Sequence, residues 1–336
     1  MANGVTNRGE FELINAMKQR WSKSGVAGDM GDDAALLPFG ENDYQVVTTD
    51  MLIEGRHFKP DWCSWYEIGY KSIAVNLSDI AAMGAKAEHL FISLALTEEL
   101  TASDSFDELI AGMDEICSKY NCSIDGGDTT RSDMDAIISV TAMGKVDKNH
   151  AKKRGSAAPG DVIAVTGNLG DAAAALMLLS DDTTVKPDQK QVLYARLHKP
   201  EPRLSEGIWL AAQPEVHAMM DISDGLAGDI RHIMTQSECG ANINLDQLPV
   251  NEELHSCAGL NGWNAEKIAA RGGDDYELLF TVDQRQWEKF QKAAANELGV
   301  SVTAIGSITD KEKTLQFLRQ GKVVDDVFKS FDHFKS

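Results

Sequence analysis

Six short segments carry aspartate beside glycine, serine or threonine, and each abuts an apolar run. They are Gly31-Asp32-Asp33-Ala34-Ala35, Thr48-Thr49-Asp50, Asn76-Leu77-Ser78-Asp79, Gly126-Gly127-Asp128-Thr129-Thr130, Asp221-Ile222-Ser223-Asp224-Gly225 and Gly272-Gly273-Asp274-Asp275-Tyr276-Glu277. Any one alone reads as a turn or a helix cap, since Asp and Gly favour both for local hydrogen-bonding reasons. Six together point to shared chemistry. Carboxylates at the ends of core elements sit at the edge of low-dielectric protein, where charge is costly unless a cation or hydrogen bonds compensate it. Lys and Arg are too few nearby to pair them all. Oxygen ligands without His or Cys suit a hard ion, and Mg²⁺ with bound phosphate needs only one or two carboxylates per ion plus waters.

The chain lacks the usual phosphate grips: there is no G-x-x-x-x-G-K-[ST] loop, and no G-x-G-x-x-G follows a strand. Metal would then replace the cradle. Lys plus Arg number 32 against 52 Asp plus Glu, for a net charge of −20. That balance argues against a partner among nucleic acids or anionic lipids, and it requires cations as mediators for any anionic substrate. Apolar stretches such as Leu90 to Leu96 are too short to span a bilayer, and Met1 to Glu10 has no basic region followed by an apolar block. A cytoplasmic protein is expected. The five cysteines are scattered, with no C-x-x-C and no zinc-like spacing. They read as reduced thiols, with Cys117 and Cys122 packing at a helix end.

The elements that must position these segments alternate between the two periodicities. Glu10 to Trp21, Trp65 to Met83 and Ser105 to Lys119 have helical spacing, with Gly84 as a stop for the second. Val46 to Thr49 reads as a strand ending at Asp50, and Leu90 to Leu96 and Ile137 to Val146 as further strands. Beyond them, Val162 to Thr166 and Leu278 to Val282 are strand-like. Asp171 to Leu179, Arg203 to Ala212 and Trp287 to Leu298 are helical, and Leu315 to Leu318 with Val323 to Val324 suggests a hairpin. The 336 residues exceed the size at which one core stops growing, roughly 250 to 300 residues. The basic stretch Asp147 to Gly155, followed by Ala158-Pro159-Gly160-Asp161, is the expected linker, with domains over 1–150 and 151–336.

Taken in order, the six segments resemble the thiamine-monophosphate kinase family. Their neighbours Glu54-Gly55-Arg56-His57-Phe58 and Ile80-Ala81-Ala82-Met83-Gly84-Ala85 strengthen the likeness, which spans both halves. That family belongs to the ATP-binding superfamily of aminoimidazole ribonucleotide synthetase. The resemblance implies a mixed α/β, two-domain aminoimidazole ribonucleotide synthetase-like fold. It further implies a homodimer in which the N-terminal α/β domain binds ATP and Mg²⁺ and forms the interface. The reaction it implies is ATP-dependent conversion of thiamine monophosphate to thiamine diphosphate by direct in-line transfer. Carried over by motif, Asp33, Thr49, Asp50, Asp79, Asp128, Asp221 and Asp224 would ligate Mg²⁺. Gly127, Asp128, Arg154 and Ser223 would lie near ATP, and His57, Asp274 and Phe331 would face the thiamine monophosphate. Asp274 stands where the family more often has Glu, and Arg56 where it has a small apolar residue.

Two other readings differ from this one in specific residues. Another ATP-dependent synthetase of the superfamily, such as a selenophosphate synthetase, would carry a Cys or a long Gly-rich loop before Asp33, and neither is present. A Ca²⁺-binding module would need a D-x-[DN]-x-[DN]-G loop, which is also missing. For the kinase, no carboxylate is required as a base, because a phosphate monoester with a second pKa near ~6 is already largely dianionic at neutral pH.

Overall fold

The computed structural model describes residues 10–25, 30–180, 183–311 and 313–324. Phe331, the expected aromatic substrate contact, lies outside the described residues. The chain builds two sheets with helices packed on and between them. The first is ordered β1 (Ala35–Phe39), β2 (Asp43–Ile53), β5 (Ile137–Asp147), β3 (Lys86–Leu96), β4 (Ser123–Arg131). All its pairs are antiparallel except β3 with β4. The second comprises β6 (Val162–Thr166), β7 (Val216–Asp221), β8 (Gly240–Asn244), β9 (Leu278–Val282), β10 (Val302–Thr309), β11 (Leu315–Arg319) and β12 (Lys322–Val324). Its spatial order is β12-β11-β8-β10-β6-β9-β7.

Strict alternation explains how the first sheet seats its helices. Along β5, Ile138, Val140, Ala142 and Val146 are buried on one face while their neighbours are not. Against that face lies α2 (Trp65–Ala82), held at its start by a capping box in which Ser64 accepts from Glu67 N and Glu67 reaches back to Ser64 N. Met83 caps its end and Gly84 turns away at φ +71. This helix is buried nearly all round, because α4 (Ser105–Tyr120), α7 (Leu204–Ala211) and β7 cover what the sheet does not. One apolar core therefore runs from Ile73, Leu77 and Ile138 through to Met219 and Phe280 of the second sheet. Among the described residues the remaining helices are α1 (Glu10–Ser24), α3 (Glu98–Thr101), α5 (Asp171–Ser180), α6 (Pro187–His198), α8 (Leu226–Gln236), α9 (Glu252–Asn261), α10 (Ala265–Arg271) and α11 (Trp287–Glu297). None of the helices is long and apolar enough to cross a membrane.

Three local expectations change. Asp50 does not end its strand: β2 continues to Ile53, paired with β5 throughout, so Asp50 sits inside the sheet opposite Val140. Ser123–Arg131, which shows no apolar alternation, is a strand whose residues are all exposed. Gly127 permits it: a Cβ there would fall 1.7 Å from Ile92 O of the neighbouring strand, at a backbone φ of +152. The stretch after β5 is packed rather than solvated. Lys152 Nζ donates to Gln213 O and Val216 O at 3.0 and 2.7 Å, and Arg154–Ser156 forms a 3-10 turn against α8.

Candidate active site

Asp33 precedes β1, Asp79 lies in the last turn of α2, and Asp221 ends β7. The fold brings one carboxylate oxygen of each within 4.8 Å of the others. Ser78 Oγ donates to Asp221 Oδ2 at 2.7 Å and Thr48 Oγ1 donates to Asp79 Oδ2. Arg154 grips Asp33 with two guanidinium nitrogens, at 2.6 and 3.2 Å, and holds Asp32 Oδ1 with its backbone N–H at 2.9 Å. Burial, together with the neighbouring carboxylates Asp50, Asp221 and Asp33, pushes the Asp79 carboxyl well above its usual range. Burial likewise raises Asp221, with Asp33 adding to it while Ser78 and Arg154 oppose. Burial raises Asp50 as well. Such a cluster has the donor set suited to a hard cation, since like charges at this spacing repel strongly in a low dielectric.

The register separates the expected ligands into two sets. Asp50 is directly opposite Val140, which is opposite Ile92, which is opposite Gly127, so Asp50 shares the helix-facing side of the sheet. Thr49 is opposite Thr141, and Asp128 is opposite Ser93, so both belong to the sheet's other, open face. Asp128 also stands three strands from β2, roughly 14 Å at ordinary strand spacing. Within one chain, then, Asp33, Asp50, Asp79 and Asp221 converge, whereas Thr49, Gly127 and Asp128 lie apart from them.

A cleft of about 530 Å³ opens beside the converging set, lined by Asp50, His57, Asp79, Asp221, Ser223, Asp224 and Asp274. His57 is oriented by the backbone N–H of Ile53, which donates to its Nδ1 at 2.9 Å. Asp274 and Tyr276 both adopt left-handed backbone, φ +66 and +51, unusual for side-chain-bearing residues. The turn is pinned to the Asp221-Ser223 segment: Asp274 N donates to Ser223 O and Tyr276 N to Ile222 O, each at 2.8 Å. Lys71 Nζ meets Asp274 Oδ2 at 2.8 Å, and Tyr276 Oη donates to Oδ1 at 2.9 Å. Burial works to raise the Asp274 carboxyl, but the Lys71 ammonium and these donors outweigh it and hold it below the usual carboxylate range.

Thr48, Ser78, Lys71 and Tyr276 are the contributors that sequence reasoning missed. Thr48, Ser78 and Tyr276 stand inside the aspartate segments, but Thr48 and Ser78 serve aspartates of other segments, Asp79 and Asp221, and Tyr276 alone serves its own, Asp274. Lys71 had a readable signal: a lone cation within an otherwise apolar helical stretch.

The profile of AIR synthase related protein, N-terminal domain, matches residues 31–146, and that of AIR synthase related protein, C-terminal domain, matches 158–317. The chain is 36% identical to thiamine-monophosphate kinase of Escherichia coli (strain K12), over 97% of this chain and 98% of that one. It is 34% identical to the enzyme of Bacillus subtilis (strain 168), over 97% and 99%. Among solved structures, AaThiL complexed with AMPPCP and TMP superposes with a TM-score of 0.84 at 31% identity, covering 98% of this chain and 100% of that one. Thiamine-monophosphate kinase from Stenotrophomonas maltophilia K279a gives 0.75 at 37% identity, covering 94% and 98%. The chain belongs to the thiamine-monophosphate kinase family, assembled from the N- and C-terminal domains of AIR synthase related proteins.

Proposed function

We propose that the chain transfers the γ-phosphoryl group of ATP to the phosphate of thiamine monophosphate, giving thiamine diphosphate and ADP. The observation that carries this reading is the convergence of Asp33, Asp79 and Asp221 from three distant segments, with Asp79 and Asp221 lining one cleft. Their all-oxygen donor set, with Asp50 beside them, fits Mg²⁺. Bound there, Mg²⁺ would neutralise the phosphate oxygens and let two polyanions meet inside an acidic protein. Asp224, on the same cleft, joins this set in our assignment.

The chain's own side chains bind and orient, and none is needed as an acid or base. Ser223 and Arg154 are assigned to the nucleotide, with Gly127 and Asp128. His57 and Asp274 are assigned to the acceptor, with Phe331. Lys71 and Tyr276 aim the Asp274 carboxylate, which keeps 38% of its side chain exposed. We assign the nucleotide- and metal-binding role chiefly to the domain of residues 1–150, with Arg154, Asp221, Ser223 and Asp224 contributed by the second domain, residues 151–336. We also propose a homodimer closed over the open face of the first sheet, where Met51 and Phe91 are exposed. That arrangement accounts for Thr49 and Asp128 lying on this face. Five free thiols fit a cytoplasmic location. The test is incubation with ATP, Mg²⁺ and thiamine monophosphate. Thiamine diphosphate and ADP should accumulate in equal amounts, and their absence from folded protein would overturn the assignment.

A further inference from the structure

The lysines and arginines that line the cleft are Arg56, Lys59, Lys71 and Arg271. Three of them are engaged within the protein. Lys71 is paired with Asp274 at 2.8 Å, Lys59 lies over the ring of Trp62 at 4.0 Å from its centroid, and Arg56 has an interaction of its own. Arg271 is different. Its side chain is exposed and has no hydrogen-bond, ion-pair or ring partner among the described residues, in a chain with a net charge of −20.

The backbone fixes where this cation stands. Arg271 is the last residue of α10, and its carbonyl oxygen would lie 2.6 Å from a Cβ at Gly225, the residue after Asp224. Two residues on, a Cβ at Gly273 would fall 2.5 Å from Ser223 O, and Asp274 N donates to that same oxygen at 2.8 Å. Arg271 is thus laid against the segment assigned to metal and nucleotide, three residues before the aspartate assigned to the acceptor. The two reacting phosphates must meet between those sets. A cation in the last turn of a helix also complements the helix dipole, but that task needs no opening on the cleft.

Thiamine monophosphate carries a cationic ring at one end and, at neutral pH, a largely dianionic phosphate at the other. A guanidinium repels the first and binds the second through paired hydrogen bonds. We propose that Arg271 binds the phosphate group of thiamine monophosphate and so distinguishes the phosphorylated acceptor from unphosphorylated thiamine. The inference rests on the acceptor assigned above and adds to it a contact from the end of α10. Its positive charge belongs to the chain, so it offsets repulsion between the two substrates without a further metal ion.

The experiment is calorimetric titration of the full chain in Mg²⁺ with thiamine monophosphate and, separately, with thiamine, for the wild type, Arg271→Gln and Arg271→Lys. KM for ATP is measured alongside. Arg271→Gln should bind thiamine monophosphate at least ~10-fold more weakly, bind thiamine as the wild type does, and keep its KM for ATP and its unfolding temperature. Arg271→Lys keeps the charge but loses the paired geometry, and should fall between the two. Unchanged binding of thiamine monophosphate by Arg271→Gln overturns the proposal and leaves a solvated surface arginine. Equal weakening toward thiamine overturns it as well, since the shape of the cleft has then changed, and so does a raised KM for ATP alone, which gives the residue to the nucleotide. A wild type that binds neither thiamine compound removes the acceptor assignment itself.

Discussion

Gly126-Gly127-Asp128 and Gly272-Gly273-Asp274 are the same three residues placed in opposite surroundings. The first lies on an edge strand with every residue exposed, and its aspartate belongs to the open face of a sheet. The second forms a left-handed turn pinned to a neighbouring segment, and each oxygen of its aspartate has a partner from the chain itself. In the first the glycine matters because a neighbouring backbone passes too close for a Cβ. In the second the aspartate is aimed by Lys71 and Tyr276. The contrast teaches that the tripeptide encodes no role: an open carboxylate is available to an incoming cation, and a paired one is a fixed recognition group.

The largest expected effect tests that division directly. Asp128→Asn should lower turnover at least ~100-fold, as befits a direct ligand when outer-shell partners alone cost 10 to 100-fold, and leave the unfolding temperature unchanged. A variant that loses stability instead would show that Asp128 is paired, and the contrast would collapse. Next, Gly127→Ala should destabilise the chain by about 3 kcal/mol, because the added carbon meets backbone that cannot yield. Gly126→Ala, whose new Cβ would have Phe91 Cδ1 at 3.4 Å as its nearest contact, should cost under about 0.5 kcal/mol. Chemical denaturation of the pair reads both. On the other side of the comparison, Lys71→Met should raise KM for thiamine monophosphate about 10-fold, or about 1.4 kcal/mol, with a smaller change in kcat. An unchanged KM would mean that Asp274 needs no aiming.

A further effect is in pH. Asp274 titrates below its unfolded value of 3.8, so its ion pair contributes stability fully above that pH and loses it as pH falls through the lower folded value. Asp274→Asn should therefore be less stable than wild type by about 1 kcal/mol at pH 7, discounted for the side chain's partial exposure. The gap should close as acid unfolding is followed below pH 3.8. A gap independent of pH would assign the loss to packing.

How much of this could be read from the residues follows physical lines. Val162–Thr166 and Leu278–Val282 were legible to the residue, because buried strands are unbroken apolar runs bounded by polar ones. α2 was legible from its periodicity and its glycine stop. β4 was not, since an exposed strand of glycine and polar residues carries no alternation and owes its place to pairing with β3. Among the candidate site residues, the aspartates announced themselves by position, and their grouping did not. Whether Asp50 and Thr49 face the same way is a matter of strand parity, invisible until β2 is known to run on to Ile53. Arg154 looked like one charge in a solvated basic stretch, yet only 15% of its side chain is exposed, because the turn after β5 folds it onto Asp33.

The meeting of Asp33, Asp79 and Asp221 also bears on how the chain acquires activity. No two of the three come from the same element, and one stands on the second sheet. Bringing them together is a late, long-range and electrostatically opposed step of folding. Neither sheet alone can assemble the cluster. Recovery of turnover after denaturation therefore reports that both sheets have closed on α2, and divalent ions, if they bind that finished arrangement as proposed, would pull the last step forward by mass action.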